Sequence, residues 1–162
     1  MRKRRPNVWK GIAAGAIGGL AASWLMEQFQ ALLSKAVKPP KDQEQEPATI
    51  KAAEAISQAV LHHRLRKREK QTAGEALHYA MGVVTGGVYG ALCELYPQVS
   101  AGAGTLFGAA VWAAADEVAV PALGLSKPAR EYPPSVHAKA LASHLVYGVS
   151  TDLIRREVRQ AL

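Results

Sequence analysis

The sequence predicts an all-α fold: a membrane helical bundle of three to four glycine-rich transmembrane helices plus one peripheral amphipathic helix. Three observations predict it. Gly11, Gly15 and Gly19 stand four residues apart in one apolar stretch, Gly82, Gly86 and Gly90 repeat that spacing in a second, and Gly104 and Gly108 carry it into a third. Charge is segregated into residues 2–10, 35–70, 127–131 and 155–159, with Gly, Ala, Val and Leu between these runs. No segment shows sustained polar alternation or an Asn-Gly hairpin signal. Glycine inside a water-exposed helix costs up to about 1 kcal/mol against alanine. In a bilayer it instead lets helix backbones approach closely enough for packing to drive association.

The 162 residues suffice for a single membrane domain spanning 1–162. Half of them are apolar (49%), yet the mean hydropathy is only −0.04, because the charged runs offset the apolar ones. Aromatics at 6% are poor material for a large soluble core. The net charge of +7 and pI near 9.7 admit nucleic acid or anionic lipid as partners. Arg2, Lys3, Arg4, Arg5 and Lys10 precede the first apolar segment, Arg64 to Lys70 precede the second, and Arg155, Arg156 and Arg159 follow the last. That placement, without any zinc-finger or recognition-helix pattern, favours lipid headgroups over nucleic acid. Cys93 is the single cysteine, so neither an internal disulfide nor a cysteine zinc cluster can form. Its apolar surroundings predict a buried, inert thiol.

The elements follow in order. Residues 1–10 are a basic tail containing Trp9, an interfacial residue type. Residues 11–34 read as a helix, apolar to Met26 and amphipathic beyond. The basic start, short apolar run and Ala21-Ala22-Ser23 also fit a cleaved secretory signal, which would leave a soluble helical protein. The helical pattern continues through Trp24, Leu25, Phe29, Leu32 and Leu33, which favours a retained helix. Residues 38–70 form a basic linker with an amphipathic helix: a proline-containing stretch at 38–48, then Ile50, Ala53, Ile56, Val60 and Leu61 at helical spacing after Thr49 as N-cap. Residues 73–96 and 101–123 are the second and third long helices, and their short link predicts antiparallel neighbours. A proline-rich turn at 126–134 leads into a fourth helix, 136–154. With four crossings, basic runs fall at both ends, so the positive-inside tendency gives no orientation.

The closing segment carries a resemblance. Gly124-Leu125-Ser126, Pro133, His144-Leu145-Val146, Asp152 and Ile154-Arg155-Arg156 resemble the end of the YagU-like family, small bacterial inner-membrane proteins classed as a domain of unknown function. Tyr89-Gly90, Glu94, Pro97 and Pro121 look like that family's middle helices, so the resemblance covers roughly residues 73–160. It implies a multi-pass location in the bacterial inner (cytoplasmic) membrane and brings no catalytic residues or substrate.

Ionisable groups inside apolar segments are costly and point to function. Glu27 lies in the first helix, Glu75 and His78 open the second, Asp116 and Glu117 close the third, and His137 and His144 share a face of the fourth. The leading reading is structural: these groups pair and fix helix register in a non-enzymatic module. A proton or small-solute conduit through Glu27, His78, Asp116, Glu117 and His144 is the alternative, since histidine titrates near neutral pH. Glu75-x-x-His78 has the spacing of a di-iron element, but it occurs once, and such sites need two copies with further glutamates. No nucleophile elbow, zinc-protease motif or P-loop is present in the sequence. No catalytic residue, metal or cofactor is therefore expected. The expected partners are a bilayer with anionic headgroups and a second copy or another membrane protein; no nucleic acid is expected. Gly11, Gly15, Gly19, Gly82, Gly86, Gly90, Gly104 and Gly108 are expected to pack helices.

Overall fold

Where each helix begins follows from what its first turn can bond. In the computed structural model, which describes residues 6–36 and 46–162, Asn7 stands before α1 (Val8–Ala36) and its Oδ1 accepts from Lys10 N at 3.1 Å. That side chain satisfies one of the orphan first-turn donors. Helix α3 (Lys67–Leu95) starts similarly, with the Glu69 carboxylate accepting from Arg66 N at 2.7 Å. Between them, α2 (Ala48–Leu61) follows Pro47 rather than the expected Thr49, which lies inside the first turn. Proline suits a helix entrance because it donates no N–H. Helix α5 (Pro134–Ala161) begins with proline for the same reason. The expected basic tail Arg2–Arg5 and most of the linker at 38–48 lie outside the described residues.

Helix α4 departs from a uniform α-helix. Its 105–122 span comprises Thr105–Trp112, a π-helical stretch Ala113–Ala119 and a final turn Val120–Ala122. Pro121 offers no N–H to the carbonyl four residues before it, and wider turns bypass that gap. The N–H of Val120 bonds Ala115 O, the five-residue spacing of a π turn. The expected helix start at 101 is corrected as well. Gly102, Ala103 and Gly104 all have positive φ, so the chain turns there and the helix starts at Thr105. Gly104 is therefore a left-handed cap outside α4, and a side chain there would press on Gly148 C at 2.7 Å.

Among the described residues all regular structure is helical. Helix α1 is central and runs antiparallel to both α3 and α5. Its glycines meet those of α3 in reverse order: a Cβ on Gly11 would lie 2.6 Å from Gly90 O, one on Gly86 would lie 2.8 Å from Gly19 Cα, and one on Gly90 would lie 3.0 Å from Gly15 Cα. Gly18, on the adjoining face, sits against Thr151 O of α5 (2.8 Å). The expected pairing of the second and third long helices is also corrected. Helix α4 lies chiefly along α5, where Gly108 and Gly148 let the backbones close; Phe107 reaches back to stack on Tyr89 of α3 at 4.2 Å. Helix α2 folds back on the start of α3, with Ile50 filling the space over Gly74 and Lys70 bonded to Glu54 at 2.5 Å. A small core of Ala22, Met26 and Tyr147, lined by Phe107 and Val111, sits where α1, α4 and α5 converge.

Two helices are long and apolar enough to cross a membrane, Val8–Lys35 and Lys67–Leu95, each with a mean hydropathy of 1.2. Of the expected three to four spans, these two meet that measure. The π turn interrupts α4, and α5 carries His137, Lys139, His144 and Asp152 along its length. Only 39% and 33% of the two apolar windows are buried inside the chain, so most of their surface faces outward.

Because Gly86 abuts backbone atoms of Gly15 and Gly19, Gly86→Leu cannot be absorbed by a rotamer change. The expected outcome is a loss of about 1–3 kcal/mol or more of stability, the overpacking range. Thermal unfolding in detergent checks it; an unchanged midpoint would count against close backbone contact at this seam.

Candidate functional site

The polar groups inside the bundle fall into two clusters, one toward each end. At the first end, α1 begins while α3 and α5 finish. Asp152 is fully buried there, its Oδ1 accepting from Arg155 Nη2 at 2.7 Å and its Oδ2 lying 2.6 Å from Arg156 Nη2. The i, i+3 and i, i+4 spacing puts both guanidinium groups on the carboxylate. Glu94, at the end of α3, takes Arg159 of α5 through two contacts (2.5 and 3.0 Å) and also accepts from Asn7 N at 2.7 Å. One carboxylate thus ties the starts and ends of three helices. The Arg155 guanidinium stands 5.5 Å over the ring of Tyr89, a cation–π distance. Cys93, a turn beyond Tyr89, is a buried free thiol.

Toward the other end, the expected path residues are gathered into separate pairs. Tyr79 donates its hydroxyl to Glu27 Oε2 at 2.6 Å, joining α3 to α1. His78 sits edge-on beside the Tyr79 ring, 5.7 Å between centroids. Asp116 and Glu117 both face α5: Asp116 Oδ2 is 3.6 Å from His144 Nδ1, and Glu117 Oε1 is 2.5 Å from His137 Nδ1. Neighbouring residues on an α-helix point about 100° apart, and the π turn is what lets both carboxylates serve one seam. His144 Nδ1 also lies 3.0 Å from Ala140 O of its own helix. Between the clusters, Tyr147 donates to Gly82 O at 2.8 Å and shares a 2.8 Å bond with Thr85.

Among the described residues no three His, Cys, Asp or Glu side chains converge as a metal-binding group. Glu75 is exposed while His78 is half-buried on Tyr79, so the Glu75-x-x-His78 pair does not close on a common point. Glu94, Asp152, Arg155 and Arg159 hold the first end, and Tyr79 and His137 complete the second; none is among the path residues that spacing selects. The Asp152-Arg155-Arg156 spacing is a readable helix-pair signal. The Glu94–Arg159 and Glu27–Tyr79 contacts cross between helices and leave no sequence trace.

Removing the Asp152 charge leaves Arg155, which is buried, without a carboxylate and leaves Arg156 only the Ser100 carbonyl (3.1 Å). Asp152→Ala is therefore expected to destabilise the bundle by about 3–5 kcal/mol, the range for breaking a buried pair from one side. Chemical unfolding in micelles tests this, with the exposed Glu157→Ala as the control expected to stay near wild type.

No curated protein and no solved structure matches the chain. One family model does, over residues 29–153, which takes in only the last two turns of α1 but all of α2, α3 and α4 and the larger part of α5. The chain therefore belongs to the family described as "Protein of unknown function (DUF1440)".

Proposed function

We propose that this chain is an integral, multi-pass module of the bacterial inner membrane with a non-enzymatic structural or interaction role, packed through its glycine ladders. The observation that carries the reading is the inverted placement of side chains. Small and polar residues point inward: Ala14, Ala22, Ser23, Ser143, Thr151 and Asp152 are all buried. Bulky apolar residues point outward, among them Trp24 at 53% exposure, Val84 at 64%, Val88 at 56% and Leu106 at 69%. Trp24 therefore does not serve as packing bulk inside the bundle. An apolar exterior of this kind is stable against lipid and is a liability in water. The glycines contact one another within a single chain, so association with a second copy would use the outer apolar faces.

A proton or small-solute conduit is the second reading, and the Asp116–His144 approach is what speaks for it. Glu27 and His78 belong to a different helix pair, α1 and α3, and among the described residues no bond joins them to Asp116 or Glu117. The structural reading is accordingly preferred.

Fractionation of the expressed chain with carbonate washing, followed by intact mass determination, tests the proposal. Retention in the membrane at full length is expected. Release into the wash, or a mass lacking the first twenty-odd residues, would replace it with the soluble, signal-cleaved alternative.

A further inference from the structure

His137 faces acceptors through both ring nitrogens. Nδ1 is 2.5 Å from Glu117 Oε1 of α4, and Nε2 is 3.0 Å from the carbonyl of Ala129 in the 3-10 turn Ala129–Glu131 that precedes α5. Neutral imidazole carries one N–H and can donate to only one of these atoms; the imidazolium donates to both. From this geometry we propose that His137 is a proton-binding site, occupied when it clamps α4, the Ala129–Glu131 turn and α5 together. Loss of the proton frees either Glu117 or Ala129.

The groups facing the site are few. Glu117 comes from α4 with Asp116 beside it, and the turn contributes the Ala129 carbonyl and the Tyr132 ring, edge-on to the imidazole at 6.5 Å. Arg130 and Glu131 of that turn are exposed. His144, seven residues and so about 10 Å along α5, is the other histidine of the seam. It differs in kind: its Nδ1 already bonds Ala140 O, which a neutral ring can do, with Asp116 more distant at 3.6 Å. One histidine thus requires its second proton for its contacts and the other does not.

The element that would respond is the π segment Ala113–Ala119, which carries Glu117. A π turn holds one residue more than the α turn it replaces and is held by its surroundings. Resetting it to α-helix would rotate the following turn by about 100° and carry Glu117 away from His137. The sign follows from the proton count. The clamp is made at low pH and released as pH rises through the range in which a histidine gives up its proton.

The test is a spin-label distance between exposed positions 123 and 138 (Leu123→Cys and Ala138→Cys, in a Cys93→Ala background) on the full chain in micelles at pH 5.5 and 8.5. The expected result is a single distance at the lower pH and a second, longer population at the higher, the shift bounded by the roughly 8 Å that a 100° rotation gives on a helix surface. His137→Gln should show the longer population at both pH values, and Glu117→Ala, which removes the acceptor on α4, should do the same from the carboxylate side. His144→Gln should leave the pH response intact. No change with pH in the wild type, or a response that survives His137→Gln and Glu117→Ala but is lost in His144→Gln, would overturn the proposal. Carbonate release of the protein with this response intact would remove the membrane reading and leave the clamp standing.

Discussion

Backbone-to-backbone contact between α1 and α3 is the constraint from which the other features follow. Gly11, Gly15 and Gly19 meet Gly90, Gly86 and Gly82 without side chains between them, so the two helices have one register and little freedom to slide. Ser23 continues the line, its hydroxyl donating to Gly19 O at 2.9 Å beside Gly82. That register decides what meets at each end. Sixteen residues separate Gly11 from Glu27 in α1, about 24 Å of helix. Antiparallel pairing over that length places Glu94 at Asn7 and Tyr79 at Glu27. A shift by one turn would separate both pairs at once.

The close seam also explains why α5 rather than α4 completes the core. Gly18 sits on the α1 face next to the ladder and admits the backbone of Thr151, which brings Asp152 and Arg155 into the interior with Tyr89 and Cys93. A fully buried carboxylate is tolerable only with its charge matched, and Asp152 has Arg155 and Arg156 one turn away on the same helix. Because both partners lie on α5, this pair travels with the helix. Glu94–Arg159 is the bond that attaches α5 to α3 at that end.

Much of this was legible in the sequence, and the illegible parts have physical causes. Four-residue glycine spacing places one face of a helix on a close neighbour, so α1 and α3 could be read as packing helices, though spacing cannot say which ladder meets which. The short link after Leu95 suggested that α3 and α4 pair. It was misleading because Gly104 and Gly108 find a small partner, Gly148, on α5, and side-chain size outweighs chain proximity. Gly104 looked like part of a helical ladder and is a left-handed cap, since φ is not written in residue type. The π turn in α4 had one visible cause, Pro121, but its effect on Asp116 and Glu117 depends on where α5 lies. Of the candidate path residues, spacing found Asp116, Glu117 and His144; it set His137 on the face of His144 but left it out of the path, because its contacts with Glu117 and the Ala129 carbonyl depend on how α4 and the preceding turn fold against it.

The two ends of the bundle differ in the chemistry of their cross-links. At one end, carboxylates meet guanidinium groups, and arginine keeps its charge throughout the range in which a protein stays folded. Those bonds are permanent features of the fold. At the other, carboxylates meet imidazoles and a phenol, and an imidazole changes charge within the physiological range. The π segment, the only wide-turn stretch among the described residues, lies at the imidazole end and carries both carboxylates that reach α5. Helix α4 reaches the α1–α3 pair through Phe107 and Val111 in its first half, and its second half is held to α5 by the carboxylate–histidine pairs. A fold with one end fixed by arginine and the other closed by histidine has a direction in which it can open. Motion at the histidine end would swing the last turns of α4 while leaving the glycine seam, and the helix ends gathered around Glu94, undisturbed.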